Sequence, residues 1–280
     1  IEAAKHGDVA RARALLAAGH LVNAQNGKYK NSAIGQAVKY QHFDMVKFLV
    51  KQKADVNIQS LYGWTPIMLA CDVGPYRNRL DTVKYLVENK TDVHLRDRNT
   101  LNVLLHAASS NHLEVIKFLV GEAKANVNSQ RIGKHMMSSL MYAASHNCTD
   151  IVRYLVEEGK ASINGVTDEH GNTVMHKIVE EYGRSEPAEY LLQAKADVNI
   201  RNNLGRNCLM TALLGKNKRL ALHMLENNLA ENCFLDEEGR LVSVPEYYEA
   251  NCRRPRRSTR LEFRWLIIPS IVMRDTIPGL

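Results

Sequence analysis

The sequence predicts an all-α solenoid in which helix-turn-helix units stack in a row, joined by hairpin loops and closed by a degenerate helical C-terminal cap. Three observations predict it. A short phrase, an apolar pair followed after a few polar residues by an acid-Val-Asn, recurs along the chain, and such self-similarity is the signature of repeat architectures. Aromatic residues make up only 6% of a chain that is 45% hydrophobic, which disfavours a β-sandwich, whose strands prefer aromatic and β-branched residues. Finally, 16 Gly and 7 Pro in 280 residues are too few for a loop-rich scaffold.

The elements follow from the phrase. It appears as Phe48-Leu49-Val50 to Asp55-Val56-Asn57, Tyr85-Leu86-Val87 to Asp92-Val93-His94, Phe118-Leu119-Val120 to Asn126-Val127-Asn128, Tyr154-Leu155-Val156 to Ser162-Ile163-Asn164, and Leu191-Leu192 to Asp197-Val198-Asn199. An earlier copy ends at Leu21-Val22-Asn23. Upstream of each full copy lies a segment with an alanine core, best preserved as Thr65-Pro66-Ile67-Met68-Leu69-Ala70-Cys71. Its counterparts begin at Ser32, Asn102, Ser138, Thr173 and Asn207. Thr65 or its equivalents can cap a first helix by accepting backbone N–H bonds, and Pro66 sits at the first helical position, where its missing donor costs nothing. The pairs Ala107-Ala108 and Ala143-Ala144 let units approach closely. A second helix carries apolar residues at helical spacing, as in Leu113, Val115, Ile116, Leu119 and Val120. No pair can bury its apolar face alone, so only the stack is stable.

Successive starts lie 33, 37, 36, 35 and 34 residues apart, around the 33-residue ankyrin period, and with the Thr-Pro and acid-Val-Asn phrases the chain resembles the ankyrin-repeat family over residues 1–234. That stretch holds a truncated first unit and about six more. The second full unit carries four extra residues, Pro75-Tyr76-Arg77-Asn78, between its helices. The next two units carry one extra residue each, in Glu122-Ala123-Lys124-Ala125 and Glu158-Gly159-Lys160-Ala161, and such insertions map to loops. The turn Arg131–Met137 is unusually apolar for a hairpin tip. Residues 235–280 are expected to form a degenerate capping segment whose last helix spans about Thr259 to Ile268.

Charge does not mark the whole surface for nucleic acid. Of the net +7, +5 lies within residues 251–264, where Arg253, Arg254, Arg256, Arg257, Arg260 and Arg264 face a single acid, Glu262. The basic patch Arg253, Arg254, Arg256, Arg257 and Arg260 is read first as a solvated tail, then as a nuclear-import or nucleic-acid contact or as a contact for an acidic protein or membrane surface. Five scattered cysteines, Cys71, Cys148, Cys208, Cys233 and Cys252, form no C-x-x-C pair and fit a reducing compartment better than a disulfide or zinc framework. No run of 18 apolar residues occurs, so no transmembrane helix is expected. The chain starts at Ile1, which reads as a fragment.

No phosphate-loop, dinucleotide, zinc-protease or serine-hydrolase motif is present. His106 and His176 are read as structural, hydrogen-bonding the backbone of a neighbouring hairpin, and the sequence neighbours His146, Cys148 and Asp150 as a turn and helix start rather than a nucleophile with its base. No catalytic residue, cofactor or metal ligand is therefore assigned.

What the family resemblance implies is a protein-protein interaction scaffold that binds a partner protein through the concave face and the hairpin tips. Carried over through the Thr-Pro register, the partner-binding candidates are Tyr29, Tyr40, Tyr62, Trp64, Tyr76, Arg98, Leu101, His135, Met137 and His146. Lys28, Lys39, Asp72, Ser109, Lys134, Glu169, His170 and Glu180 flank them. Tyr29, Tyr40, Tyr62 and Trp64 should align on adjacent units, and Tyr, Trp and Arg dominate interface energies when desolvated. The expected molecule is a monomer in the cytoplasm, without enzymatic activity. The alternative is an ankyrin targeting module of an enzyme, a bacterial effector in host cytosol, or a ubiquitin-ligase adaptor, with the activity in 235–280 or beyond this sequence.

Overall fold

In the computed structural model, the residues described are 1–72, 79–133, 136–180 and 186–214, residues 217, 220, 221, 223 and 224, and the strands 233–235 and 241–243. The first unit pairs α1 (Glu2–Lys5) with α2 (Val9–Ala17). A two-residue hairpin, β1 (Gln25–Asn26) against β2 (Asn31–Ser32), leads into α3 (Ala33–Lys39) and α4 (Phe43–Lys51). The units that follow pair α5 (Pro66–Asp72) with α6 (Arg79–Glu88) and α7 (Val103–Ser109) with α8 (Leu113–Gly121). Next come α9 (Ser139–Ser145) with α10 (Thr149–Glu157) and α11 (Val174–Glu180) with α12 (Glu186–Gln193), and α13 (Cys208–Leu214) opens the last. The strands β3 (Cys233–Leu235) and β4 (Leu241–Ser243) pair antiparallel. Of the expected cap, residues 235–280, the described residues are Leu235 and Leu241–Ser243 of this hairpin. The helix expected near Thr259–Ile268 and the inserted Pro75–Asn78 lie outside the described residues.

Short polar side chains start the first helices, as the sequence implies, with one correction. Ser32 Oγ accepts from Gly35 N, Asn102 Oδ1 from Leu105 N, Ser138 Oγ from Met141 N and Asn207 Oδ1 from Met210 N, at 3.0–3.2 Å. Each satisfies a backbone donor that the helix itself cannot. Thr65, expected to cap α5, does not do so: its hydroxyl is buried and has no hydrogen-bond partner. Thr173 shows what such a threonine bonds instead. Its hydroxyl lies 3.0 Å from Nδ1 of His176, three residues on, whereas Thr65 has Met68 in that place, and a thioether is at best a weak acceptor.

The first helices form one continuous row, α1 against α3, α3 against α5, and so on to α13, and the second helices α6, α8, α10 and α12 pack in a parallel row behind. Ala37, Ala107, Ala108, Ala143 and Ala144 are fully buried in the inner row, where a side chain of one carbon lets helix axes close up. Between the rows Leu86, Leu104, Ile116, Leu119, Ile151 and Leu155 are also fully buried. Truncating any such leucine to alanine costs roughly 2–5 kcal/mol.

Aromatics of the second helices serve this packing. Arg13 lies over Phe48, Lys84 over Phe118 and Arg153 over Tyr190, with cation-to-centroid distances of 5.2, 5.7 and 4.7 Å. Tyr154 O–H donates to Lys117 O of the preceding unit. Burial raises the hydroxyl pKa of both Tyr154 and Tyr190 above its ordinary value, helped by Glu158 and Glu157 respectively.

At the hairpin bases the repeated asparagine is a rung to the next unit. Asn23, Asn57, Asn128 and Asn164 accept from the backbone N–H of Asp55, Asp92, Ser162 and Asp197 at 2.8–2.9 Å. Between Asn57 and Asn128 the position is held by His94.

Candidate partner-binding groove

The hairpins that project from the stack are held to one another by a second ladder. Gln25 Nε2 donates to Lys30 O of its own turn and to Gln59 O of the next, and Gln59 Nε2 repeats this on Gly63 O and Arg96 O. Arg96 Nη1 continues to Thr100 O and Gln130 O, and Gln130 Nε2 to Thr167 O. Main-chain bonds add to this: Leu61 N donates to Tyr29 O and Arg98 N to Tyr62 O, at 2.8 and 2.9 Å. Equivalent positions of neighbouring hairpins are thereby fixed side by side.

This registration assembles the aromatic cluster. Tyr29 and Tyr62 meet with ring centroids 5.9 Å apart and planes inclined by 33°, within the range of a favourable aromatic pair. Together with Tyr40 and Trp64 they line one open groove of about 590 Å³ at the N-terminal end of the array. Tyr29, Tyr40 and Tyr62 are 44%, 44% and 51% exposed. Trp64, expected to be exposed, is instead half-buried: its ring packs on His106 of the next unit, centroid to centroid 4.5 Å. It forms the inner wall and not a free anchor. His106 is held in turn by a buried carboxylate, Asp97 Oδ2, at 3.2 Å from Nε2. The expected bond to hairpin backbone is seen at His176, whose Nε2 donates to Arg206 O at 3.0 Å.

The groove also has a floor and rim that the register does not identify. Glu2 and Lys5 contribute from α1 and Ile1 from its N-cap, and Gln36 and Leu69 from α3 and α5. The first unit has no hairpin of its own in the sequence, so its residues could not be aligned. The signal for Gln36 and Leu69 was their shared place, fourth after Ser32 and Thr65.

The other candidates are not gathered here. Arg98 is exposed and Leu101 half-buried on the following hairpin. Met137 is half-buried against the core at the base of the longer turn, closed by Arg131 N to Met137 O, whose tip exposes Ile132. His146 is exposed at the end of α9, with Nδ1 2.9 Å from Tyr142 O. Tyr76, His135 and Arg253, Arg254, Arg256, Arg257 and Arg260 lie outside the described residues.

Cys148 is buried, and its thiol donates to His146 O at 3.5 Å. Burial drives the Cys208 thiol pKa up to about 12, far from thiolate chemistry. Among the described residues no group of three His, Cys, Asp or Glu is placed to hold a metal ion, and no helix is long and apolar enough to cross a membrane.

The groove and the twin rows define the class: a helix-pair solenoid with projecting hairpins, built to present an inner face. The ankyrin-repeat family model matches the chain in overlapping copies, at residues 1–97, 75–165, 104–202 and 140–236, and the chain belongs to that family, whose repeats are generally protein-protein interaction modules. No curated protein matches the chain significantly.

Proposed function

We propose that this protein is a non-catalytic scaffold that docks a partner protein in the groove lined by Tyr29, Tyr40, Tyr62 and Trp64, acting in the cytoplasm as a monomer. The observation that carries the reading is the convergence of four aromatic side chains from three hairpin and helix positions on one open groove, three of them with nearly half their surface exposed. Aromatic side chains offer large contact area with few rotors to freeze, which makes them interface anchors. The aromatics of the second helices, by contrast, are used up in packing. The absence of a catalytic step is supported by the thiols of Cys148 and Cys208, which are buried.

The test is recovery of partners from cell lysate by the native chain and by a Tyr29→Ala/Tyr62→Ala variant. Both rings are exposed, so thermal stability should be unchanged within about 1 kcal/mol. The expected result is loss of at least one bound protein by the variant. Equal recovery of every partner sinks the groove as the docking site.

A further inference from the structure

The reading of the groove as a docking site leaves open what chemistry enters it, and the charges around the rings narrow that choice. Ammonium groups stand over two of the three tyrosines: Lys28 Nζ is 5.2 Å from the Tyr29 centroid, and Lys5 and Lys39 Nζ are each 5.9 Å from that of Tyr40. Lys28 and Lys39 are exposed. Among the described residues neither has a carboxylate within 4.0 Å, in contrast to Lys47 and Lys117, which are paired within their helices. Glu2, the acid of the groove wall, is already engaged, 3.0 Å from His6 Nε2 and 3.5 Å from Lys5 Nζ. The hydrogen bond with His6, followed by the charge of Lys5, holds its carboxyl below the ordinary range. The groove therefore joins an apolar surface of Ile1, Trp64 and Leu69 to one lining cation without a carboxylate, Lys39, and a second such cation, Lys28, stands beside it over the Tyr29 ring. A cation over a ring face keeps N–H donors free for an anion, because the ring occupies only one side of the ammonium.

Resting on the docking reading above, we propose that the groove binds an acidic peptide segment carrying one bulky apolar side chain. The apolar side chain packs between Tyr62, Trp64 and Leu69, and flanking carboxylates meet Lys28 and Lys39. Nucleic acid fits less well. Tyr29 and Tyr62 are in direct ring contact and leave no slot for a base between them, ammonium groups lie over the rings of Tyr29 and Tyr40, and Glu2 sets a negative charge in the wall.

The experiment selects short random peptides displayed on phage against the native chain, then measures the enriched sequences as synthetic peptides by fluorescence anisotropy. Enrichment of net-negative peptides with one aromatic or large aliphatic residue is expected. A Lys28→Glu/Lys39→Glu variant should bind them about tenfold or more weakly at low salt, with the difference shrinking at high salt. Enriched peptides that are neutral or basic, or that ignore the charge reversal while still losing affinity to Tyr29→Ala/Tyr62→Ala, overturn the acidic chemistry and leave the groove standing. Peptides insensitive to the tyrosine pair, or no enrichment, overturn both. A short oligothymidylate that binds in a tyrosine-dependent manner and displaces the peptides overturns the proposal in favour of nucleic acid.

Discussion

The hairpin at residues 59–65 and the hairpin at residues 167–173 occupy equivalent places in their units, and each sets a left-handed glycine against the backbone of the hairpin that follows. Gly63 has φ +79° and Gly171 φ +73°. In both, the residue before the glycine offers its carbonyl to the next hairpin, Tyr62 O to Arg98 N and His170 O to Asn203 N, at 2.9 Å. The side chains around this shared frame differ completely. The first hairpin places Tyr62 in the open and Trp64 in the groove wall. The second folds inward: Asp168 and Asn172 are buried, Asn172 Nδ2 donates to Asp168 Oδ2, Asn202 Nδ2 donates to Asn172 Oδ1, and Lys177 lies 3.2 Å from Asp168. Backbone and glycine thus share the stacking with the ladder through Gln59 Nε2 and Thr167 O, which leaves the flanking positions free to become either internal polar clamp or exposed aromatic surface.

The shared frame should be the most costly part to disturb. A Cβ on Gly63 would lie 2.9 Å from Arg98 N and Asp97 Cα, and one on Gly171 would lie 3.0 Å from Asn203 N. Backbone cannot yield as a flexible side chain can, and the left-handed conformation alone costs roughly 1–2 kcal/mol for a residue with a Cβ. Gly63→Ala and Gly171→Ala should each lose about 3 kcal/mol in urea unfolding. A mild effect at one site and a large one at the other would show that the two hairpins do not stack by the same means.

A second, smaller effect separates the hairpins by charge. Burial pushes the Asp168 carboxyl pKa up, but backbone donors from Asn172 and His170, then the side chains of Asn172 and Lys177, outweigh it and hold the group below its ordinary value of 3.8. A carboxylate depressed in the folded state adds stability that is present above the unfolded-state value and is lost as pH falls through the folded one. Asp168→Asn should therefore cost about 2 kcal/mol at neutral pH, with the gap to the native chain closing below about pH 4. At the matching position of the first hairpin Ser60 Oγ accepts from Trp64 N, and Ser60→Ala should cost less and show no such pH dependence. A gap for Asp168→Asn that is the same at pH 3 and pH 7 would remove the charge from the account.

The fold was legible because stacking requires the same small and apolar residues in every unit, and the alanine core and the Val-Asn phrase record that requirement. The alignment of Tyr29 with Tyr62 was legible for the same reason, since equal positions in successive hairpins become neighbours. Trp64 was misjudged because its burial depends on His106, a residue of another unit whose ring position no local pattern reports. Lys5 and Ile1 were invisible because no hairpin precedes their helix in the sequence to fix its register.

The threonines just before the paired helices give the finest test of the difference between the two hairpins. His176 donates from Nε2 to Arg206 O, so its Nδ1 carries no proton and accepts the Thr173 hydroxyl at 3.0 Å. Removing that hydroxyl leaves Nδ1 only the longer contacts with Thr173 N at 3.3 Å and Cys208 Sγ at 3.6 Å, and Thr173→Val should lose about 1 kcal/mol. Thr65 has the same backbone role, with its N–H-accepting carbonyl bonded to Leu69 N, but its hydroxyl is buried without a partner. A methyl in that place restores apolar packing and removes a desolvated polar group, so Thr65→Val should be neutral or stabilising by up to about 1 kcal/mol. Chemical denaturation of the two variants measures the contrast directly, and equal losses would mean that the Thr65 hydroxyl does find a bond, which would return it to the capping role that the sequence alone suggests.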